Sequence, residues 1–178
     1  MEINAYAPDF ELPDIHGEVV HLTPYLAKYR AVVVVFMCNH CPYVKAYIQR
    51  LIDLQAYFNQ QHPGQVCLVG INANDQQKYP EDSLEKMQEY AKTWGLNFPY
   101  LRDRTQEVAE AFAATCTPEP FVLDSQGILR YRGQIDDNYR DPAAVTQPSL
   151  KLAIEQVLQG QPVTIGVESA VGCSIKWK

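Results

Sequence analysis

Cys38 and Cys41 are separated by two residues in the string Cys38-Asn39-His40-Cys41-Pro42. On the first turn of a helix, that spacing lets two side chains close a small disulfide without large backbone movement. Such a pair can accept or donate two electrons. The flanking residues supply the setting. Ala31–Phe36, AVVVVF, is an unbroken apolar run, the mark of a buried central strand. After the pair, apolar residues recur at Val44, Tyr47, Ile48, Leu51, Leu54 and Phe58, a helical period. Pro42 suits the first turn of that helix, where a missing N–H costs nothing. The cysteines therefore fall between the carboxyl end of a strand and the amino end of a helix.

That junction favours an anion. A helix terminus stabilises a nearby charge by about 0.3–1 kcal/mol, and by ~2 kcal/mol when partly buried. At about 1.36 kcal/mol per pKa unit, this lowers a thiol from ~8.5 by roughly half a unit to a unit and a half. The first cysteine, Cys38, is expected to reach the thiolate near neutral pH, with a charged His40 lowering it further. Cys38 then attacks, Cys41 resolves the mixed disulfide, and His40 tunes the couple. A stabilised thiolate also favours the reduced pair, which makes the couple more oxidising than one with an apolar insert.

Two other readings stand beside this one. The pair can be half of a zinc site or simply two buried thiols. Structural zinc ordinarily takes a second ligand pair at comparable spacing. Here His16, His21 and His62 are scattered, and Cys67, Cys116 and Cys173 stand alone. A site assembled from Cys38, His40, Cys41 and a distant cysteine is the form a metal reading takes. The strand–CxxC–helix context points instead to redox chemistry, so no metal and no cofactor is assigned.

At 178 residues the chain is long enough for one well-filled core, and its 47% hydrophobic and 20% charged content is that of a globular protein. A net charge of −6 argues against nucleic acid or an anionic membrane as partner. No apolar run reaches transmembrane length, and Met1–Phe10 lacks the pattern of a signal peptide. The expectation is a cytoplasmic chain with thiols reduced at rest. Nothing in the sequence indicates an oligomeric state.

Along the chain, Asp9–Leu12 and Val19–Leu22 read as a hairpin turned at Asp14–Gly17, with His16 and His21 as surface residues. Val66–Ile71 is a second buried strand, in which Cys67 acts as a small hydrophobe. Asn72–Lys78 reads as a connecting loop. A helix from about Pro80 has Asp82 and Glu85 at capping-box spacing, inward residues Leu84, Met87, Ala91 and Trp94, and a stop at Gly95. Asn97–Leu101 is short and extended, and Arg104–Ala114 helical. Phe121–Leu123 and Ile128–Ile135 form a hairpin around the turn Asp124–Gly127. Asp136–Pro148 is a solvated loop, and Leu150–Leu158 the last helix. Alternating strands and helices signify an α/β sheet.

Three strings carry a resemblance. Ala7–Leu22 (APDFELPDIHGEVVHL), Cys38–Val44 (CNHCPYV) and Gly172–Lys178 (GCSIKWK) resemble the thioredoxin-like branch of the alkyl hydroperoxide reductase and thiol-specific antioxidant (AhpC/TSA) superfamily. The match is to peroxiredoxin-like members carrying the last two strings. It implies an α/β thioredoxin-like fold over residues 1–178, a central mixed sheet flanked by helices, with an N-terminal β-hairpin and a C-terminal extension. It further implies that Pro118, preceded by Thr117, is a cis proline facing the cysteines, with Pro120 its rival. Thr117 and Pro118, with Asn39 and Pro42, then shape a groove in which the backbone pairs with an extended partner chain.

The same resemblance raises peroxide chemistry. Peroxiredoxins place an arginine where this proline falls and carry Pro-x-x-x-Thr/Ser-x-x-Cys around the reactive cysteine. Aligned on Cys41, that pattern meets Cys38 in place of Thr/Ser and Val34 in place of the proline. Relative to thioredoxins, Phe36-Met37 stands where a tryptophan usually precedes the first cysteine. The expected activity is thiol–disulfide exchange with protein or small-molecule thiols and disulfides. A thiol-dependent peroxidase and a metal-binding module are the alternatives.

Two cysteines remain as possible third redox thiols. Cys116, two residues before Pro118, belongs near the pair if that register holds; otherwise it is packing or a ligand. Cys173 lies in the tail 163–178, which lacks a helical period but carries Val163, Ile165, Val167, Ile175 and Trp177 to dock with. Either the tail folds back to let Cys173 exchange with Cys38 or Cys41, or it docks as structure alone.

Overall fold

The structure, a computed structural model, describes residues 1–166 and 168–178. In chain order the elements are β1 Glu11–Pro13, β2 Val19–His21, α1 Leu22–Lys28, β3 Ala31–Phe36, α2 Pro42–Gln61 and β4 Val66–Asn72. There follow α3 Leu84–Trp94, β5 Tyr100–Arg102, α4 Glu107–Ala111, β6 Cys116–Thr117, β7 Glu119–Asp124, β8 Leu129–Arg132, α5 Ser149–Leu158 and β9 Cys173–Ser174. The main sheet has the order β5-β4-β3-β7-β8. β3 pairs parallel to β4 and antiparallel to β7, so the sheet is mixed.

Every residue of β3 is buried, because successive side chains point to opposite faces and both faces are covered. Val33 and Val35 pack with Val44, Tyr47 and Leu51 of α2 and with Ala153 and Ile154 of α5. Val32, Val34 and Phe36 pack on the other face with Leu12, Val20, Ala109 and Phe112. Each such side chain, fully buried, contributes about 1.5–3 kcal/mol. At its far end Phe36 stands opposite Ile71 of β4 and Glu119 of β7. Three strand ends thus reach one level, and the cysteine pair follows directly.

Several local expectations change. Leu22–Lys28 is helical rather than the end of the hairpin: Leu22 is anchored in the core, and Pro24 lies early enough in the helix to be tolerated. The cap of α3 is Ser83, whose Oγ accepts from Lys86 N at 3.2 Å, so Asp82 is free for another role and Leu84 faces solvent. The helix expected over 104–114 shrinks to α4, bounded by Gln106 and Ala113 at positive φ. Asn72, Asn74 and Asp75 are buried, so the stretch after β4 is no plain loop. Asp136 is not solvated either. It accepts from Arg50 at 2.8 Å and from Tyr47 at 3.0 Å.

The segment after α5 returns across the sheet end. β9 pairs antiparallel with β6, Thr117 opposite Cys173, and Ile175 is buried with the Phe36 face of the core. Val167, one of the apolar tail residues, lies outside the described residues. Trp177 stays exposed.

Candidate active site

β3 delivers Met37, Cys38 and Asn39 into the interior, and the chain turns at His40 into α2. Cys41 is the N-cap of that helix with extended backbone, and Pro42 occupies its first turn. Cys38 and Cys41 both turn toward one residue, Thr117. Above them runs the segment before β7, in which the Thr117–Pro118 bond is cis. Cys38 Sγ lies 3.3 Å from Thr117 Oγ1, and Cys41 Sγ lies 3.5 Å from the Thr117 carbonyl oxygen. This segment is held by Glu119, whose carboxylate accepts from Thr115 N at 2.9 Å and from Arg132 at 2.9 Å.

The electrostatics assign the charge to the second cysteine. Cys41 accepts from the Cys38 thiol, then from Cys173, and the N–H groups of Val44 and Cys173 add to this; together they hold it well below the usual thiol range. Cys38 is pushed the other way, first by donating to Cys41, then by burial and the nearby Asp82 carboxylate. This direction runs opposite to the Cys38 thiolate expected from the sequence. A helix terminus favours an anion on the residue that caps it, and that residue is Cys41. Both cysteines are closed to solvent, Cys38 at 1% and Cys41 at 3% exposed.

His40 turns toward an acid. Its Nδ1 lies 3.0 Å from Asp82 Oδ2, and its ring stacks on Tyr79 at 6.2 Å between centroids. Asp82, wholly buried, accepts from Asn39 N at 2.8 Å, Asn72 Nδ2 at 3.2 Å and Asn74 Nδ2 at 3.0 Å. Arg102 beneath it donates to the carbonyls of Asp82 and Asn74, at 3.1 and 2.6 Å. Asn39 is no groove residue: its side chain donates to Glu81 O at 2.7 Å and accepts from Tyr100 Oη at 2.7 Å. It pins the loop between the two cysteines.

Cys38 Sγ, a His40 ring nitrogen and an Asp82 carboxylate oxygen lie within 4.8 Å of one another. These are donor types that zinc accepts. The Asp82 oxygens already accept the three N–H groups described above, which compete with a cation for them.

The remaining cysteines divide. Cys173 Sγ is 2.7 Å from Cys41 Sγ, across 132 residues of chain. Cys116 precedes Thr117 on a strand and so faces away from the pair; its sulfur lies 3.9 Å from Ala170 O, and burial pushes its thiol up to about 11. Cys67 is buried within β4, and its thiol is likewise pushed up to about 11. Of the expected groove residues, Thr117 covers the sulfurs together with Pro118, while Pro42 lies exposed on the helix. The residues that sequence reasoning passed over are Asp82, Asn72, Asn74, Tyr100, Arg102 and Glu119.

A profile of the AhpC/TSA family matches residues 3–132, and the chain belongs to that family. It is 40% identical to an uncharacterized conserved protein from Geobacillus kaustophilus, whose crystal structure it matches with a TM-score of 0.91 over 99% of this chain and 93% of the other. It is 27% identical over 128 residues to the thiol-disulfide oxidoreductase ResA of Geobacillus thermodenitrificans, covering 72% of this chain and 67% of that protein. A thiol:disulfide interchange protein of the thioredoxin family from Chlorobium tepidum matches at 20% identity with a TM-score of 0.62, over 90% and 97% of the two chains. The fold is thioredoxin-like.

Proposed function

We propose that the protein is a thiol–disulfide oxidoreductase in which Cys38 and Cys41 form the redox couple. A redox role accords with its family and with its likeness to a ResA protein. The observation that carries the reading is the placement of Cys38 and Cys41 at a strand–helix junction with both sulfurs on Thr117, the residue before the cis Pro118. In the direction that reduces a partner, a partner disulfide opens and two electrons leave the pair. Cys38 and Cys41 close into a disulfide, and the two partner sulfurs leave as thiols, one taking the Cys38 proton and the other a proton from solvent. Cys41 supplies the thiolate, and Cys38 resolves. CNHCPYV and GCSIKWK are read as marks of one branch of the family, and the substrates as protein or small-molecule disulfides.

The test is intact-mass measurement after equilibration with oxidised and reduced glutathione, followed by peptide mapping. A loss of two hydrogens mapped to Cys38–Cys41 is expected. A chain that keeps both thiols under oxidising buffer overturns the reading. Peroxidase activity lacks its supports here, because Pro118 stands where peroxiredoxins place an arginine, Cys38 where they place Thr/Ser and Val34 where they place a proline. The second reading, metal binding, has one observation behind it, the cluster of Cys38, His40 and Asp82. Zinc titration of the reduced chain against a chromophoric chelator tests it, with no exchange of disulfides as its companion result.

A further inference from the structure

Cys38 and Cys41 are both buried, so a partner's sulfur has no direct path to either. What covers them is the chain's own tail, laid down as a strand. β9 pairs with β6 along Cys116 and Thr117, on the edge before the cis proline where an extended partner would add a strand. Gly172 lies so close to that edge that a Cβ there would stand 2.2 Å from the Thr117 carbonyl oxygen. On the far side of Cys173 the tail is anchored by buried Ile175, by Lys176 N donating to Asn74 Oδ1 at 2.9 Å and by Asp75 N donating to Lys176 O at 2.8 Å. Cys173 is thus held in the position of a partner's cysteine, 2.7 Å from Cys41. Unlike the pair it serves, it is only half-buried.

We propose that Cys173 is a third catalytic cysteine, the port through which electrons pass between the buried pair and outside thiols or disulfides. This rests on the reading of Cys38 and Cys41 as the redox couple. With a partner disulfide, Cys173 gives up its proton as it attacks one partner sulfur, and the other partner sulfur leaves as a thiol with that proton. Cys41 then attacks Cys173 Sγ, forming the Cys41–Cys173 disulfide and releasing the second partner sulfur, which is protonated in turn. Cys38 attacks Cys41, forming Cys38–Cys41 and returning Cys173 as a thiol. Net, the pair loses two electrons and the Cys38 proton, the partner disulfide gains the electrons with that proton and one from solvent, and Cys173 ends as the thiol it began as. Run backward, the same steps oxidise a partner dithiol. Both inner exchanges are intramolecular, and the Cys41–Cys173 exchange joins sulfurs already in contact, the geometry that gives high effective molarity.

The test uses the full chain in three forms. Cys38→Ser, treated with oxidised glutathione, should lose two hydrogens and map to a Cys41–Cys173 bond; two free thiols, or a bond elsewhere, overturns the proposal. Oxidised Cys173→Ser should react with reduced glutathione at least ten-fold more slowly than the wild type while still forming the Cys38–Cys41 bond. An equal or faster rate makes the tail a passive cover and overturns the relay while leaving the Cys38–Cys41 couple intact. A wild type that forms no Cys38–Cys41 bond at all sinks that couple and the relay together. Thermal unfolding of Cys173→Ser, expected to match the wild type, separates a lost relay from a lost fold.

Discussion

His40 Nδ1 stands 3.0 Å from Asp82 Oδ2, so the imidazole between the two cysteines is oriented by a buried acid rather than by a sulfur. The same carboxylate ties the Asn39 amide, Asn72 and Asn74 together. Asp82→Ala strands these donors in the interior, and breaking a buried charged network costs about 3–5 kcal/mol. Asp82→Asn keeps the volume but removes the charge that pushes the Cys38 thiol up. Its Cys38 should therefore ionise more readily. Denaturant unfolding checks the first effect and thiol titration of the folded Asn variant the second.

Thiolate absorbance against pH reads the electrostatics of the pair. Because Cys41 is held below the usual thiol range, one thiolate should persist at neutral pH, where an ordinary cysteine of pKa about 8.5 is mostly protonated. The sign for stability follows from the depressed value. Cys41 contributes stability fully above the ordinary thiol pKa, and that contribution is lost as pH falls through its folded one. Cys41→Ser should abolish the neutral-pH thiolate, and Cys38→Ala, which leaves no donor at that position, should move the midpoint upward. A wild-type midpoint at the ordinary value contradicts the assignment.

The seal over the sulfurs depends on a residue without a side chain. Gly172→Ala drives a methyl into the Thr117 carbonyl, so the tail must shift. Cys38 and Cys41 should then be alkylated in the native protein far faster than in the wild type. Ile175→Ala empties a buried site at a cost of about 2–5 kcal/mol, and should open the same thiols. Alkylation followed by mass analysis reports both.

Away from the sulfurs, the loop after β8 is pinned by Arg50 and Asp136. Arg50 also donates to the carbonyls of Asn138 and Tyr139. Asp136→Ala leaves the guanidinium partly buried and without its counter-charge, a change worth about 3–5 kcal/mol in a well-shielded pair. Chemical unfolding should show the loss with the Cys38–Cys41 couple unaltered.

The sequence makes some of these parts visible and hides others for definite reasons. The apolar run Ala31–Phe36, the CxxC and the helical period after it are local patterns, and they fall on β3 and α2 as read. The cis bond at Pro118 follows only from resemblance, since proline in a sequence does not declare its isomer. Asp82 was taken for a helix cap because an acid before an apolar period looks the same whether it bonds its own helix or a distant amide. Asn72, Asn74 and Arg102 read as an ordinary polar loop and strand end. Their burial depends on Asp82 arriving from elsewhere. Cys173 carries no spacing signal toward Cys41 because 132 residues separate them. For Cys38, the helix-end argument is local: it does not register that Cys41 takes the N-cap position or that the distant Asp82 carboxylate stands beside Cys38.

Gly172 and Cys173 are translated after every strand of the main sheet. A nascent chain that has collapsed around β3 therefore displays bare sulfurs to the surrounding medium until the ribosome extrudes the strand that hides them. Redox reagents and folding helpers met during that interval encounter a different surface from the one the finished molecule shows, and slowing translation just before Gly172 would prolong the exposure.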